Sequence, residues 1–392
     1  MMPAGRSATA CRRRSAIVAM VGALLGASVD AGLAQDSMVA PPDTEATAVQ
    51  PTVDRLIGGF VQKEGIPGAI VGVSWRGQRS FFSYSGTGQP AYRSDTIVEI
   101  GSITKVFTTA LFAEALLEGR IERDASLQSM MPRTTLRPCT GQITAAELAD
   151  FSSGMPTLPG DAPRQLARRG IDTYTSDDFL RWVGRWSTAD EEGCTLPAPY
   201  RYSNASVGLL GYLVAERLGS PWRQLLRDRI TVPLHMISTT VEVPSDRADR
   251  VAQGFGQDGQ PVMPWPVFAW YPAGALRSTA ADMLAFGEAA LGHEVVNGEH
   301  VPSVLSRALH DAMQPIYQPE GQTFGQGMAW IEDAGDPDAG QHPVYLKTGG
   351  TDGFNSVIVV NPVKDLAIFM AASRPRSNML RLGVQLSRQL RR

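Results

Sequence analysis

Two strand-like runs lie near each end of this chain, and the long stretch between them is mainly helical in pattern. "GAIVGVSWRGQRSFFSYSG", residues 68–86, is two β-rich runs around Arg76-Gly77, and "NSVIVVNP" followed by "DLAIFMAA", residues 355–372, makes a second hairpin. A lone hairpin is marginal in water, so its apolar face needs partners. The helical period starts near Ser102 and runs to about Gly119. It returns in "SVGLLGYLVAERLG", "PWRQLLRDRI" and "STAADMLAFGEAALG", and closes the chain in "NMLRLGVQLSRQL". The expected fold class is α/β (α+β), an antiparallel β-sheet flanked by helices with an inserted, mainly helical domain. The α/β part is expected over about 51–120 and 271–392, and the helical part over about 121–270.

The first 34 residues differ from the rest. Arg12, Arg13 and Arg14 precede the apolar run Ala16–Val29, and small residues end the segment at Ala34, the pattern of a cleaved secretory signal. The run is short for a bilayer span, so no stable membrane anchor is expected. Residues 35–50, "QDSMVAPPDTEATAVQ", read as a polar tether, leaving 51–392 as the folded domain. Cys11 would leave with the signal. Cys139 and Cys194 remain, which permits one disulfide or two free thiols in an exported, periplasmic protein. Two cysteines without a neighbouring histidine make a poor metal site, and no cofactor is expected. The formal charge of −3 with no basic block argues against nucleic acid as a partner.

Of 36 basic residues only four are lysines: Lys63, Lys105, Lys347 and Lys364. Arginine holds its proton in a protein, whereas a desolvated lysine can give it up. Two of the four stand in short segments with catalytic character, Ser102-Ile103-Thr104-Lys105 and Lys347-Thr348-Gly349. Residues three apart share a helix face, so Lys105 would lie against Ser102, itself at a helix N-terminus where the dipole favours negative charge. To act as a base the amine must fall from about 10.4 to roughly 7–8, and a second cation such as Lys347 would help. Alone, Ser-x-x-Lys is equally an ordinary helix start. Two further segments add to it. Tyr202-Ser203-Asn204 offers a phenol that can pass a proton and an amide that can hold a substrate or the lysine. Gly349 and Gly350 would let a substrate approach a strand whose N–H completes an oxyanion hole.

Ser-x-x-Lys, then Tyr-x-Asn, then Lys-Thr-Gly is the motif set of the penicillin-recognising serine enzymes. The Tyr-x-Asn form resembles the class C β-lactamases, the AmpH-type and R61-type DD-peptidases and some esterases. "VEIGSITKVFTTALFAEALLEGRI", "ITAAELADFSSGMP", "AGALRSTAADMLAFGEAAL", "GQGMAW" and "KTGGTDGFNSVIVVNP" carry the likeness over nearly all of the chain after the signal. The resemblance implies Ser102 as the acylated nucleophile and Lys105 as its proton acceptor or electrostatic helper. Tyr202 would activate water or protonate the leaving nitrogen. Asn204, Lys347, Thr348, Gly349, Gly350 and Asn378 would bind substrate, with the N–H groups of Ser102 and Gly350 as the oxyanion hole. Arg381 falls beside Asn378 where the family often contacts a substrate carboxylate.

The implied function is hydrolysis of β-lactam amides through an acyl-enzyme. The alternative is a D-Ala-D-Ala carboxypeptidase or endopeptidase acting on peptidoglycan peptides. An esterase or a non-catalytic penicillin-binding sensor on the same scaffold are further readings, and a monomer is expected. The chain departs from the family pattern at Val98 (usually aromatic), at Thr104 (usually Ser or Ala) and at Thr351-Asp352-Gly353, where a carboxylate is placed near the mouth.

Overall fold

In a computed structural model, residues 44–86, 88–162, 174–187 and 194–390 are described. Seven strands form one antiparallel sheet: β1 (Gly68–Trp75), β2 (Gln78–Ser85), β3 (Gly325–Gln326), β4 (Ile331–Asp333), β5 (Val344–Gly350), β6 (Asn355–Asn361) and β7 (Leu366–Ala372). Their spatial order is β2-β1-β7-β6-β5-β4-β3. The hairpins from the two ends of the chain meet at β1 and β7, paired from Ala69↔Ala372 to Trp75↔Leu366. Between β1 and β2 the turn residues Arg76 and Gly77 have φ of 53° and 77°. A two-residue hairpin of matching twist needs positive φ at both positions, which glycine supplies without strain.

Helices cover both faces of the sheet. α1 (Thr104–Leu117), α2 (Asn204–Leu218), α3 (Ala280–Leu291), α4 (Ser303–Met313) and α5 (Met379–Gln389) are the longest that bear on the site and the core. On one face Phe107 of α1 stacks on Phe286 of α3 with ring centroids 4.1 Å apart, in a core that reaches Ile358 and Phe369 of the sheet. On the other face Leu382 and Leu386 of α5 pack with Val357, Val359 and Ile368. Every residue of α1 from Thr104 to Ala115 is buried. A helix apolar on all sides belongs in the middle of a protein, and α1 carries Lys105 there.

One boundary differs from expectation. Helix is continuous through Thr44–Val53, Asp54–Gly58 and Gly59–Glu64, so it begins inside the segment read as a tether over 35–50. Val49, Val53, Ile57 and Val61 recur every four residues, and all four are buried against the sheet's second face. The polar residues around Val49 and Val53 hide that stripe in a reading by composition. Residues 1–34, and the tether up to residue 43, lie outside the described residues. Between 121 and 270 the described elements are helices and turns, including Ala145–Asp150, Ser176–Arg185 and α2. Cys139 and Cys194 are joined in a disulfide, with Cα atoms 5.4 Å apart.

Candidate active site

The site begins at the entry to α1. Gly101–Ile103 form one tight helical turn before the helix proper, with Gly101 at φ +49°. Thr104, where the family usually carries a smaller residue, anchors this turn: its hydroxyl donates to the Gly101 carbonyl at 2.7 Å and accepts from the Leu276 N–H at 3.0 Å. The turn leaves Ser102 half-buried and Lys105 wholly buried on the same face. Lys105 Nζ stands 3.1 Å from Ser102 Oγ.

Two more acceptors surround that nitrogen. Asn204 Oδ1 and the Ala273 carbonyl each lie 2.6 Å from Lys105 Nζ. A tetrahedral amine that gives its two protons to these oxygens has its lone pair left for the third neighbour, Ser102 Oγ. As an ammonium ion the same nitrogen donates to all three. The geometry therefore suits both ends of a proton transfer from Ser102.

Tyr202 closes the other side. Its hydroxyl donates to Ser102 Oγ at 2.7 Å. The middle residue of the Tyr-x-Asn segment explains why both neighbours arrive together. Ser203 is the N-cap of α2, accepting from the Ser206 N–H at 2.9 Å and donating to the Pro156 carbonyl at 2.6 Å. With the cap fixed, Tyr202 just before the helix and Asn204 in its first turn both reach the Ser102–Lys105 pair.

Lys347 enters from β5, with Nζ 5.0 Å from the centroid of the Tyr202 ring, while Lys105 Nζ is 5.0 Å from the same ring. Burial lowers both amines. Lys105 falls well below the ordinary lysine value, through desolvation first and then the charge of Lys347. Lys347 comes down to about 7 through desolvation. Burial pushes the Tyr202 phenol upward, opposed by its bond to Ser102, so at neutral pH it is an un-ionised proton donor.

The glycines of β5 answer to close backbone approach. A Cβ on Gly349 would stand 1.9 Å from the Ile100 carbonyl oxygen, and one on Gly101 would stand 2.7 Å from the Gly350 nitrogen. The backbone preceding Ser102 is thus pressed against the end of β5. On its far side β5 pairs with β4 only at Val344, Tyr345 and Leu346, so the edge from Lys347 to Gly350 has no strand neighbour there. Ser356 Oγ donates to the Ile100 carbonyl at 3.1 Å and fastens the turn to β6.

Of the residues named from sequence, Lys105 and Tyr202 touch the Ser102 hydroxyl, Asn204 holds Lys105, Lys347 stands over the Tyr202 ring, and the Gly350 backbone lies against Gly101 just before Ser102. Thr348 sits on β5 opposite Val357 and, among the described residues, makes no hydrogen bond to this group. Asn378 is exposed at the N-cap of α5 with φ +53° and also stays outside it. It does stand beside the strand end, because Asn355 accepts from the Met379 N–H at 3.2 Å and donates to the Gly349 carbonyl at 2.9 Å. Two contributors carry no motif. The Ala273 carbonyl is backbone and leaves no trace in residue type, and the aromatic ring of Phe151, near Lys347, follows a helix that sequence reads as ordinary. Among the described residues no group of three or more His, Cys, Asp or Glu side chains is placed to hold a metal ion.

Comparisons with known proteins place the chain as a whole. A β-lactamase from Escherichia coli K12 is 26% identical over 361 residues, covering 84% of this chain and 90% of that protein. The crystal structure of a class C β-lactamase from Rhodobacter sphaeroides is 26% identical with a TM-score of 0.71, covering 85% of this chain and 97% of that one. A β-lactamase/D-alanine carboxypeptidase from Pseudomonas syringae shares the fold at 24% identity and a TM-score of 0.74, covering 88% and 100%. No helix among the described residues is long and apolar enough to cross a membrane. The Beta-lactamase family model matches residues 53–387, which takes in every element of the site, and the chain belongs to that family of penicillin-recognising serine hydrolases.

Proposed function

We propose that this chain hydrolyses β-lactam amides in the manner of a class C enzyme, through an acyl-enzyme on Ser102. The observation that carries the reading is the double contact on one oxygen, with Lys105 Nζ at 3.1 Å and the Tyr202 hydroxyl at 2.7 Å from Ser102 Oγ. In the first step Oγ attacks the lactam carbonyl while its proton passes to the free amine of Lys105. The oxyanion is held by the N–H groups of Ser102 and Gly350. Tyr202 gives its proton to the leaving nitrogen as the C–N bond breaks and is restored from the Lys105 ammonium. Lys347 as an ammonium ion neutralises the substrate carboxylate, and Asn204 fixes Lys105. Water then cleaves the ester, with Tyr202 and Lys105 returning the proton to Ser102 Oγ.

A D-Ala-D-Ala carboxypeptidase would run through the same ester. The exposed carboxylate of Asp352, two residues beyond Gly350, supports that second reading, since a peptide ammonium group would meet it at the mouth. Intact-protein mass spectrometry after mixing with benzylpenicillin separates the two. A transient adduct on the wild type, absent in Ser102→Ala, supports the lactamase, and an adduct lasting for hours supports the peptidase. No adduct on either protein overturns both. We further propose export to the periplasm on the N-terminal 34 residues and action as a monomer. The Cys139–Cys194 disulfide supports an oxidising compartment, and a mature N-terminus near Gln35 is the check on export.

A further inference from the structure

Phe151 is a bulky side chain held at φ +67°, ψ +24°, the left-handed region that non-glycine residues seldom occupy. It is 1% exposed. Its carbonyl accepts from the Arg201 N–H at 2.9 Å, which ties it to the segment carrying Tyr202. The Phe151 and Tyr202 ring centroids lie 5.0 Å apart, and Lys347 Nζ is 5.1 Å from the first and 5.0 Å from the second. The three points make a nearly equilateral triangle. Among the described residues Lys347 Nζ has no hydrogen-bond acceptor and no ion-pair partner, and the two rings are the protein groups that face its charge. Lys105 shares the Tyr202 ring, and among the described residues no cation–ring contact joins it to Phe151.

We propose that Phe151 is a positioning residue for the acylation chemistry: its ring selects Lys347 over Lys105 as the holder of the one proton that two adjacent buried amines share. Backbone strain at Phe151 is kept because it aims the ring at that nitrogen. An ammonium ion over an aromatic face is stabilised, the more so away from water, and the free amine gains little. With the proton on Lys347, repulsion keeps Lys105 an unprotonated base facing Ser102, and Lys347 stays charged for a substrate carboxylate. The proposal rests on the acyl-enzyme reading for its consequence, but the proton partition itself needs no substrate. The titratable groups facing Lys347 are Lys105 from α1 and Tyr202 ahead of α2, with Tyr345 on its own strand. Behind Phe151 stand Tyr200, edge-on to its ring at 6.0 Å, and Asp150, whose carboxylate accepts from Ser152.

Four lysines make the test direct. Protein labelled with [13Cε]lysine gives at most four titrating signals, with Lys347 assigned by Lys347→Arg. In Phe151→Leu the Lys347 midpoint falls by about one pH unit, a tenfold loss of proton affinity, while that of Lys105 rises. Phe151→Tyr keeps the ring and leaves both midpoints near wild type. In turnover, the alkaline limb of kcat/KM for a penicillin shifts down in Phe151→Leu and is rescued in Phe151→Tyr. An unmoved Lys347 midpoint in folded Phe151→Leu overturns the proposal, as does an equal fall in Phe151→Tyr. Because the titration uses unliganded protein, it stands or falls separately from β-lactam hydrolysis.

Discussion

Lys105 is bonded on every side that chemistry uses, which makes its replacement informative. Arginine keeps the charge, yet its guanidinium can neither accept the Ser102 proton nor give single bonds to Asn204 and Ala273 in the same volume. Lys105→Arg should lower the acylation rate by about 100-fold or more, read by stopped-flow or by the rate of mass gain with penicillin. Acylation at the wild-type rate would remove the lysine from the role of base. The two amines also set the pH profile. Activity rises as Lys105, lowered by burial, loses its proton, and falls as Lys347, lowered to about 7, loses its own. The kcat/KM profile, which reports the free enzyme, should therefore be bell-shaped with its alkaline limb near pH 7. A profile flat from pH 6 to 9 would contradict this. Rarity made these residues legible: in a chain that uses arginine almost everywhere, a lysine kept three residues after a serine stands out. Phe151 was not legible, because its importance lies in a backbone angle and a ring direction.

At the scale of elements, the site depends on how closely β5 approaches the start of α1. Gly349→Ala places a methyl group 1.9 Å from the Ile100 carbonyl, so the strand or the turn must move by an ångström or more. Such a displacement separates the Gly350 N–H from Ser102, and turnover should drop at least about 100-fold while circular dichroism stays native. Native turnover in Gly349→Ala would show that the two backbones can part without harm. The Cys139–Cys194 bridge closes a separation of 55 residues across the helical region. Replacing both cysteines with serine should cost about 2–4 kcal/mol of stability on the chain-entropy view, measured by urea unfolding with and without the bridge. The elements were readable because short β-rich apolar runs and the helix period look different in sequence. Their meeting was not, since Gly349 and Gly101 read only as flexible positions until each is seen against the other's backbone. The start of the N-terminal helix was misread for a related reason: Val49 falls among polar residues, and only the sheet reveals what it faces.

Across the whole molecule, the two buried amines set function against stability. A lysine in water or in the unfolded chain titrates near 10.5, and Lys347 in the folded protein titrates at about 7. Between those values the unfolded state binds more protons than the folded one, so unfolding is favoured increasingly as the pH falls through this window. Below about pH 7 the penalty is complete. Above the unfolded value both states are neutral and it vanishes. A fully buried group shifted this far corresponds to something on the order of 5 kcal/mol. Lys347→Met keeps most of the volume and discards the ionisation. The variant should unfold at higher urea than wild type at pH 6–7, with the advantage shrinking steadily towards pH 10 and turnover lost throughout. A Lys347→Met protein no more stable than wild type at pH 6 would mean that the aromatic clamp and the site around it already offset the desolvation of the charge. That outcome would make the preorganised site far less of a burden on the fold than its burial implies.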